Sequence, residues 1–184
     1  KFGDEESIKK PMSPYSVTKV AVEALCYQWS TLENFKIVTA RPFTHIGPGQ
    51  SERFSISAFG KRVAEIEKGL KEPTIQVGNL NSTRDLTDVR DVVKAYIDII
   101  KYGKNGDSYN VCSNNEILIN DVLSKMLDLS SSKIKVIQDK NLIRSSEQTR
   151  IKGSNKKLKK ISKWKPKINI DTTINDIYHY WHQK

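Results

Sequence analysis

Of the 184 residues, 37% are apolar and 28% charged, enough for a packed core and too polar for a chain that lives within a bilayer. Apolar runs break after a few residues, far short of the ~20 that a spanning helix needs, so no membrane partner is expected. The net charge of +10 is local: residues 152–167 hold eight lysines and no acid, which leaves +2 for the rest of the chain. That distribution predicts a solvated, lysine-rich helix face packed through Ile161 and Trp164. A polyanion-binding module over 152–167 is the non-enzyme alternative, and nucleic acid is not the expected partner.

The opening Lys1-Phe2-Gly3-Asp4-Glu5-Glu6 has neither Met nor an apolar leader and reads as a cut end. Ser13 followed by Pro14 is a helix start, and Val17, Val20, Ala21, Ala24, Leu25 and Gln28 recur at helical spacing, which predicts a helix over 14–31. Cys26 within it, and Cys112 far downstream, lack CxxC spacing or a histidine cluster. Both are expected to be buried free thiols in a reducing cytoplasm, and no metal site is expected. The β-branched run from Lys36 to Arg41, stopped by Pro42, predicts a strand that delivers its C-terminal end to a site, and Gly47-Pro48-Gly49 a loop.

Helical period returns over 55–68 and ends at Gly69; Thr74 to Val77 reads as a strand ending in Gly78. A helix is predicted from Asp88, its cap, to Tyr102 before Gly103. Strands follow at 108–112 and 134–137, with helices at 119–129, 154–161 and 171–182. Strands alternate with helices throughout, which predicts an α/β fold with parallel pairing.

Tyr15 and Lys19 stand four residues apart, one turn apart on one helix face. The ammonium stabilises phenolate and is expected to bring the tyrosine pKa down from about 10, so that the phenol exchanges a proton with a carbonyl or alcohol while a nicotinamide exchanges hydride. Spacing alone is weak, since this composition yields about one Tyr-x-x-x-Lys by chance, and Tyr180 with Lys184 repeats it at the chain end. The setting distinguishes Tyr15: it lies on the first turn of its helix, near the open end of a sheet, where ligands bind in α/β folds.

Around that pair, Pro11-Met12-Ser13-Pro14-Tyr15-Ser16-Val17-Thr18-Lys19 resembles the catalytic helix of the extended short-chain dehydrogenase/reductases (the NAD-dependent epimerase/dehydratase family). Arg41 to Gln50, Val77-Gly78-Asn79-Leu80 running into Arg84 to Val93, Tyr109 to Ser113, and Trp164-Lys165-Pro166 resemble successive landmarks of one branch. That branch holds the GDP-mannose 4,6-dehydratases and the GDP-4-keto-6-deoxymannose reductases. Leu86-Thr87-Asp88-Val89-Arg90 and the short path to Arg144 are similar to the reductases, which makes reduction of a GDP-4-keto-6-deoxy sugar the favoured activity. GDP-mannose 4,6-dehydration or another nucleotide-sugar epimerase or dehydratase reaction is the alternative.

The resemblance implies a C-terminal part of a Rossmann-type parallel sheet plus a smaller α/β substrate-binding lobe. Residues 1–50 would complete an NAD(P)-binding domain and 51–184 would mainly form the lobe, with about 74–112 returning to the sheet. It implies Tyr15 as general acid and Lys19 as its activator and a ligand of the nicotinamide ribose, with Pro42, Phe43 and His45 against an NADP or NAD cofactor. It implies Thr44, Arg84, Arg144 and Glu147 as contacts of a nucleotide-diphosphate sugar, a cytoplasmic setting and a homodimer built on the Tyr-Lys helix through Leu25, Tyr27 and Trp29. Structural roles stand beside several of these: Arg84 as a surface ion pair with Asp85, His45 as a loop-ordering hydrogen bonder, and Arg144 with Glu147 as an i,i+3 pair. Thr44 stands where the family commonly has Asn, Ser145 where Pro is usual and Ser154 where Asp is usual. No G-x-x-G-x-x-G or G-x-G-x-x-G occurs, so the dinucleotide cradle is expected upstream and this segment alone is not expected to turn over.

Overall fold

The computed structural model describes residues 3–32, 34–143 and 148–184. Helix α1 (Pro14–Ser30) starts where the Ser-Pro signal places it. The Ser13 side chain accepts from the Ser16 N–H at 3.2 Å, the Ser13 N–H donates to Ser16 Oγ at 2.9 Å, and Pro14 occupies the first turn. Its inward stripe is Ser16, Val20, Glu23, Cys26 and Ser30, a half-polar face that reaches the strands Thr39–Pro42 and Ser108–Val111 through Glu23, which accepts from Arg41 and Ser108, while Val17, Leu25 and Tyr27 point outward. Cys26 is therefore only half-buried, contrary to expectation, because it sits on the rim of this stripe; Cys112 is fully buried, and burial pushes its thiol up to about 12.

Strand β1 (Thr39–Pro42) pairs in parallel with β6 (Ser108–Val111), Thr39 opposite Ser108 and Pro42 opposite Val111. The strand begins three residues later than its β-branched run suggests. Ile37 is occupied by the loop instead, its N–H on Asn105 Oδ1 and its carbonyl on the Gly106 N–H. Short β2 (His45–Ile46) pairs in parallel with β5 (Thr87–Asp88), and β3 (Thr74–Val77) with β8 (Lys135–Gln138). The purely parallel expectation fails at β4 (Thr83–Asp85), which runs antiparallel to β7 (Glu116–Leu118).

Two apolar cores divide the chain. One joins β1 and β6 to α3 (Val89–Tyr102) and α5 (Lys156–Ser162) through Val92, Ala95, Ile99, Tyr109, Val111, Leu158 and Trp164. Here the lysine-rich stretch is anchored by Leu158 and Trp164, and its lysines lie outward apart from half-buried Lys152 and Lys157, the latter pairing with Asp107 at 3.0 Å. Buried Asp91 completes the anchorage by accepting from the Lys167 and Ile168 N–H groups at 2.7 and 2.8 Å. The other core packs α2 (Ser55–Glu67), α4 (Ile119–Asp128) and α6 (Ile170–His182) with β3, around Phe59, Val63, Met126 and Ile177.

Glu67 locks the second core. At the end of α2 it accepts from Ser130 Oγ (2.9 Å), the Ser131 N–H (2.8 Å), Tyr178 OH (3.0 Å) and His182 Nε2, so one carboxylate joins α2, the turn after α4, and α6. Burial raises its pKa, but these hydrogen bonds outweigh burial and hold it at about 2. A carboxyl depressed in the folded state stabilises the fold above its unfolded pKa and loses that contribution as pH falls through the folded one. Glu67→Gln is therefore expected to lower stability by roughly 2–3 kcal/mol at pH 7. The deficit shrinks between pH 4.5 and about 2, read by urea unfolding across that range.

Candidate active site

A cleft of about 960 Å³ opens between the start of α1 and the second core. One lip is Lys10-Pro11-Met12-Ser13 with Ser16, and the opposite wall is the start of α2 together with Val77 to Leu80. Thr44 and Arg84 line the same cleft, with Gln148 and Ile151 beside Arg84. The structure thus brings two of the expected sugar-side residues to the N-terminal cap of the helix that carries Tyr15.

Tyr15 is 71% exposed on the first turn of α1, and the Lys19 ammonium stands over its ring 5.2 Å from the centroid. Pro42 ends β1 on the exposed side. The Phe43 ring instead packs inward: a Cβ on Gly153 would meet it at 2.7 Å and Cys112 Sγ at 2.7 Å, so Gly153 is needed for its seat. His45 Nδ1 lies 3.1 Å from the Phe43 carbonyl, and Gln50 Nε2 donates to the His45 carbonyl at 3.0 Å, an arrangement that orders the turn after β1.

Arg84 does not form a pair with its sequence neighbour, because successive strand residues point to opposite faces. Asp85 is buried and accepts from Ser113, Asn114 and Gly153, whereas the Arg84 guanidinium donates to the Thr83 and Gln148 carbonyls at 2.8 and 2.9 Å. Arg144 and Glu147 lie outside the described residues. The chain just beyond them is fixed to the cleft wall: the Thr83 N–H donates to the Thr149 carbonyl at 2.8 Å, and Arg150 grips Glu116 with both Nε (2.6 Å) and Nη2 (2.8 Å). This fork, with Thr83, holds the Glu116 carboxyl at about 2. Glu116 and Arg150 were not indicated by the sequence, since 34 residues separate them. Among the described residues no cluster of His, Cys, Asp and Glu is suited to hold a metal, and no helix is long and apolar enough to cross a membrane.

Residues 2–177 match the GDP-mannose 4,6 dehydratase family profile. The chain belongs to that family. It is 37% identical over 180 residues to the GDP-6-deoxy-D-mannose reductase of Pseudomonas aeruginosa, covering 98% of this chain and 59% of the relative. It is 25% identical to the GDP-6-deoxy-D-talose 4-dehydrogenase of Aggregatibacter actinomycetemcomitans, covering 86% of this chain and 51% of the other. The solved structure of RMD from Pseudomonas aeruginosa, complexed with NADPH, superposes with a TM-score of 0.91 at 37% identity over 97% of this chain and 59% of that one. The chain therefore spans between half and three-fifths of the length of these relatives, in a Rossmann-type α/β architecture.

Proposed function

We propose that this chain forms the substrate-side part of an oxidoreductase that reduces a GDP-linked 4-keto-6-deoxy sugar at the expense of NADPH or NADH. The observation that carries the reading is a cleft lined by Thr44, Arg84 and the capping residues Ser13 and Ser16 of the helix on which Lys19 stands over Tyr15, although Tyr15 and Lys19 are not themselves among its lining residues. Likeness to a GDP-6-deoxy-D-mannose reductase over nearly the whole chain supports the choice of reaction.

Tyr15 donates the phenolic proton to the C4 keto oxygen as negative charge develops there, and the Lys19 ammonium steadies the phenolate left behind. A bound nicotinamide cofactor supplies the hydride. The exposed rim of Tyr15, Lys19 and Pro42 is open to a planar ring, and the inward seat of Phe43 makes that residue a backing for the turn; His45 keeps the turn in place. Thr44 offers its hydroxyl to the sugar. Arg84 and Arg144 provide the cationic side for a diphosphate, and Glu147 accepts from the nucleotide ribose. Residues 1–50 belong with the dinucleotide-binding domain and most of 51–184 with the sugar-nucleotide lobe. Turnover requires the cofactor cradle that the remaining two-fifths of the relatives' length represents. Leu25, Tyr27 and Trp29 on the outward side of α1 provide an apolar surface for a homodimer, and the two free thiols suit the cytoplasm.

The deciding assay follows NAD(P)H absorbance in the full polypeptide that carries this chain. Oxidation of one NAD(P)H per GDP-4-keto-6-deoxy sugar consumed supports the reductase. Conversion of GDP-mannose without net NAD(P)H consumption assigns the dehydratase, and neither reaction defeats both. A further expectation concerns the cleft wall: Arg150→Met releases the end of the segment that carries Arg144 and Glu147. GDP affinity is expected to weaken about fivefold, within the range for an ion pair near the surface, as read by calorimetry.

A further inference from the structure

We propose that Glu23 is the positioning residue of this site, a single carboxylate that joins the substrate lip, the helix of Tyr15 and Lys19, and the strand of Pro42 into one unit. The inference rests on the reading of Tyr15 as the proton donor to a keto sugar.

Glu23 lies one helical turn beyond Lys19 and two beyond Tyr15, and its side chain is only 13% exposed. It accepts from Lys9 Nζ at 2.7 Å, from Arg41 Nε, and from Ser108 Oγ at 2.9 Å. Burial raises its pKa, but these three donors prevail and hold the carboxyl below its ordinary range. Each donor belongs to a different part of the site. Lys9 is the ion-paired residue of the irregular segment from Ile8 to Met12, whose continuation Lys10 to Ser13 forms the cleft lip. Arg41 immediately precedes Pro42 and also donates Nη1 to the Glu5 carbonyl at 2.8 Å. Ser108 starts β6, in register with Thr39 of β1.

The sequence of the inward stripe explains why one carboxylate carries this duty. Ser16, Val20, Glu23, Cys26 and Ser30 give α1 little apolar grip on β1 and β6, so directional bonds set its height and rotation relative to those strands. Tyr15 sits at the far end of that lever, where a displacement of about 1 Å costs up to ~10²-fold in rate. The Arg41 arm thus governs where the phenol stands relative to β1, and the Lys9 arm governs the lip that meets the sugar nucleotide.

The test uses the full polypeptide that carries this chain, with Tyr15→Phe assayed in parallel. Glu23→Gln, which keeps the shape and removes the charge, is expected to lower kcat about 30- to 100-fold and raise the KM for the keto sugar about fivefold. It should also speed amide hydrogen exchange over 14–20. Arg41→Met is expected to reproduce the kcat loss with KM retained. Lys9→Met is expected to raise KM and the calorimetric Kd for GDP with kcat within twofold. A purely structural carboxylate would lower thermal stability and move kcat and KM together in all three variants, which overturns the proposal, as does a Glu23→Gln enzyme within twofold of the parent. Should Glu23→Gln fail to fold, Lys9→Met reads the substrate arm alone, and an unchanged KM and GDP Kd overturn the inference. Turnover that survives Tyr15→Phe instead defeats the underlying reading of the reaction. Loss in Tyr15→Phe with none in Glu23→Gln defeats only the role given to Glu23.

Discussion

Tyr15→Phe is expected to reduce kcat for keto-sugar reduction about 10³-fold while leaving GDP affinity and thermal stability unchanged. The magnitude is that of a positioned general acid, whose removal costs 10²–10⁴-fold. The selectivity follows from the setting. Among the described residues no buried group bonds the Tyr15 hydroxyl, so its deletion orphans none of them, and the phenylalanine ring still lies under the Lys19 ammonium. In the proposed reading the diphosphate is held on the Arg84 side of the cleft, away from the phenol. Tyr180→Phe is the internal control. Lys184 stands over Tyr180 at 4.9 Å in the same i,i+4 geometry, yet at the end of α6, apart from the cleft. Equal effects of the two substitutions would show that the activity does not depend on the site around Tyr15. A Tyr15→Phe enzyme with more than a tenth of parental kcat would remove Tyr15 from the chemistry.

Helices with a chemical punctuation mark at their start were legible in the sequence. Ser13-Pro14 places α1, and Asp88 and Gly103 bracket α3, because capping is decided by a few adjacent residues. The strand over Thr74–Val77 emerged with both ends in place, bounded by Pro73 and Gly78. Two- and three-residue strands such as β2, β5 and β7 carry too little pattern to be read, since their pairing is dictated by partners some 30 to 40 residues away. The alternative of an Arg84–Asp85 ion pair falls, because strand alternation sends the guanidinium to the cleft wall and the carboxylate into the interior. For the candidate site, Thr44 and Arg84 lie on one cleft with the cap of the helix that carries Tyr15 and Lys19. The roles of half-buried Glu23 and Glu67 and of buried Asp85 and Asp91 are not legible in the sequence, because an acid that gathers donors from distant segments is indistinguishable there from one in water. For Glu23 a signal did exist: it falls on the stripe defined by Ser16, Val20 and Cys26, opposite the exposed Val17 and Leu25.

Asp85→Ala is expected to cost about 3–5 kcal/mol of folding stability. Asp85 is fully buried at the end of β4. Its Oδ1 accepts from the Ser113 N–H (2.7 Å) and Oγ (2.6 Å), and its Oδ2 from the Asn114 and Gly153 N–H groups, each at 3.1 Å. Alanine leaves those donors without their acceptor, and each that stays unsatisfied costs about 1–3 kcal/mol, most at the buried Gly153 N–H and less where water reaches Ser113 and Asn114. The turn is also under tension, since Asn114 holds φ at 63°, a conformation that the carboxylate helps to pin. Asp85→Asn should recover little, because an amide turns an NH2 group toward donors that need an acceptor. Urea unfolding at constant m reads the loss, and a change below about 1 kcal/mol would show that the four donors find other partners. The consequence reaches the cleft. Gly153 is the glycine against which the Phe43 ring rests, and Arg84 precedes Asp85 on the wall, so one carboxylate fixes both sides of the turn that follows Pro42. Residual activity in a folded Asp85→Ala protein is therefore expected to fall with stability, whereas Tyr15→Phe loses activity at full stability; the two substitutions together separate the chemistry from the frame that holds it.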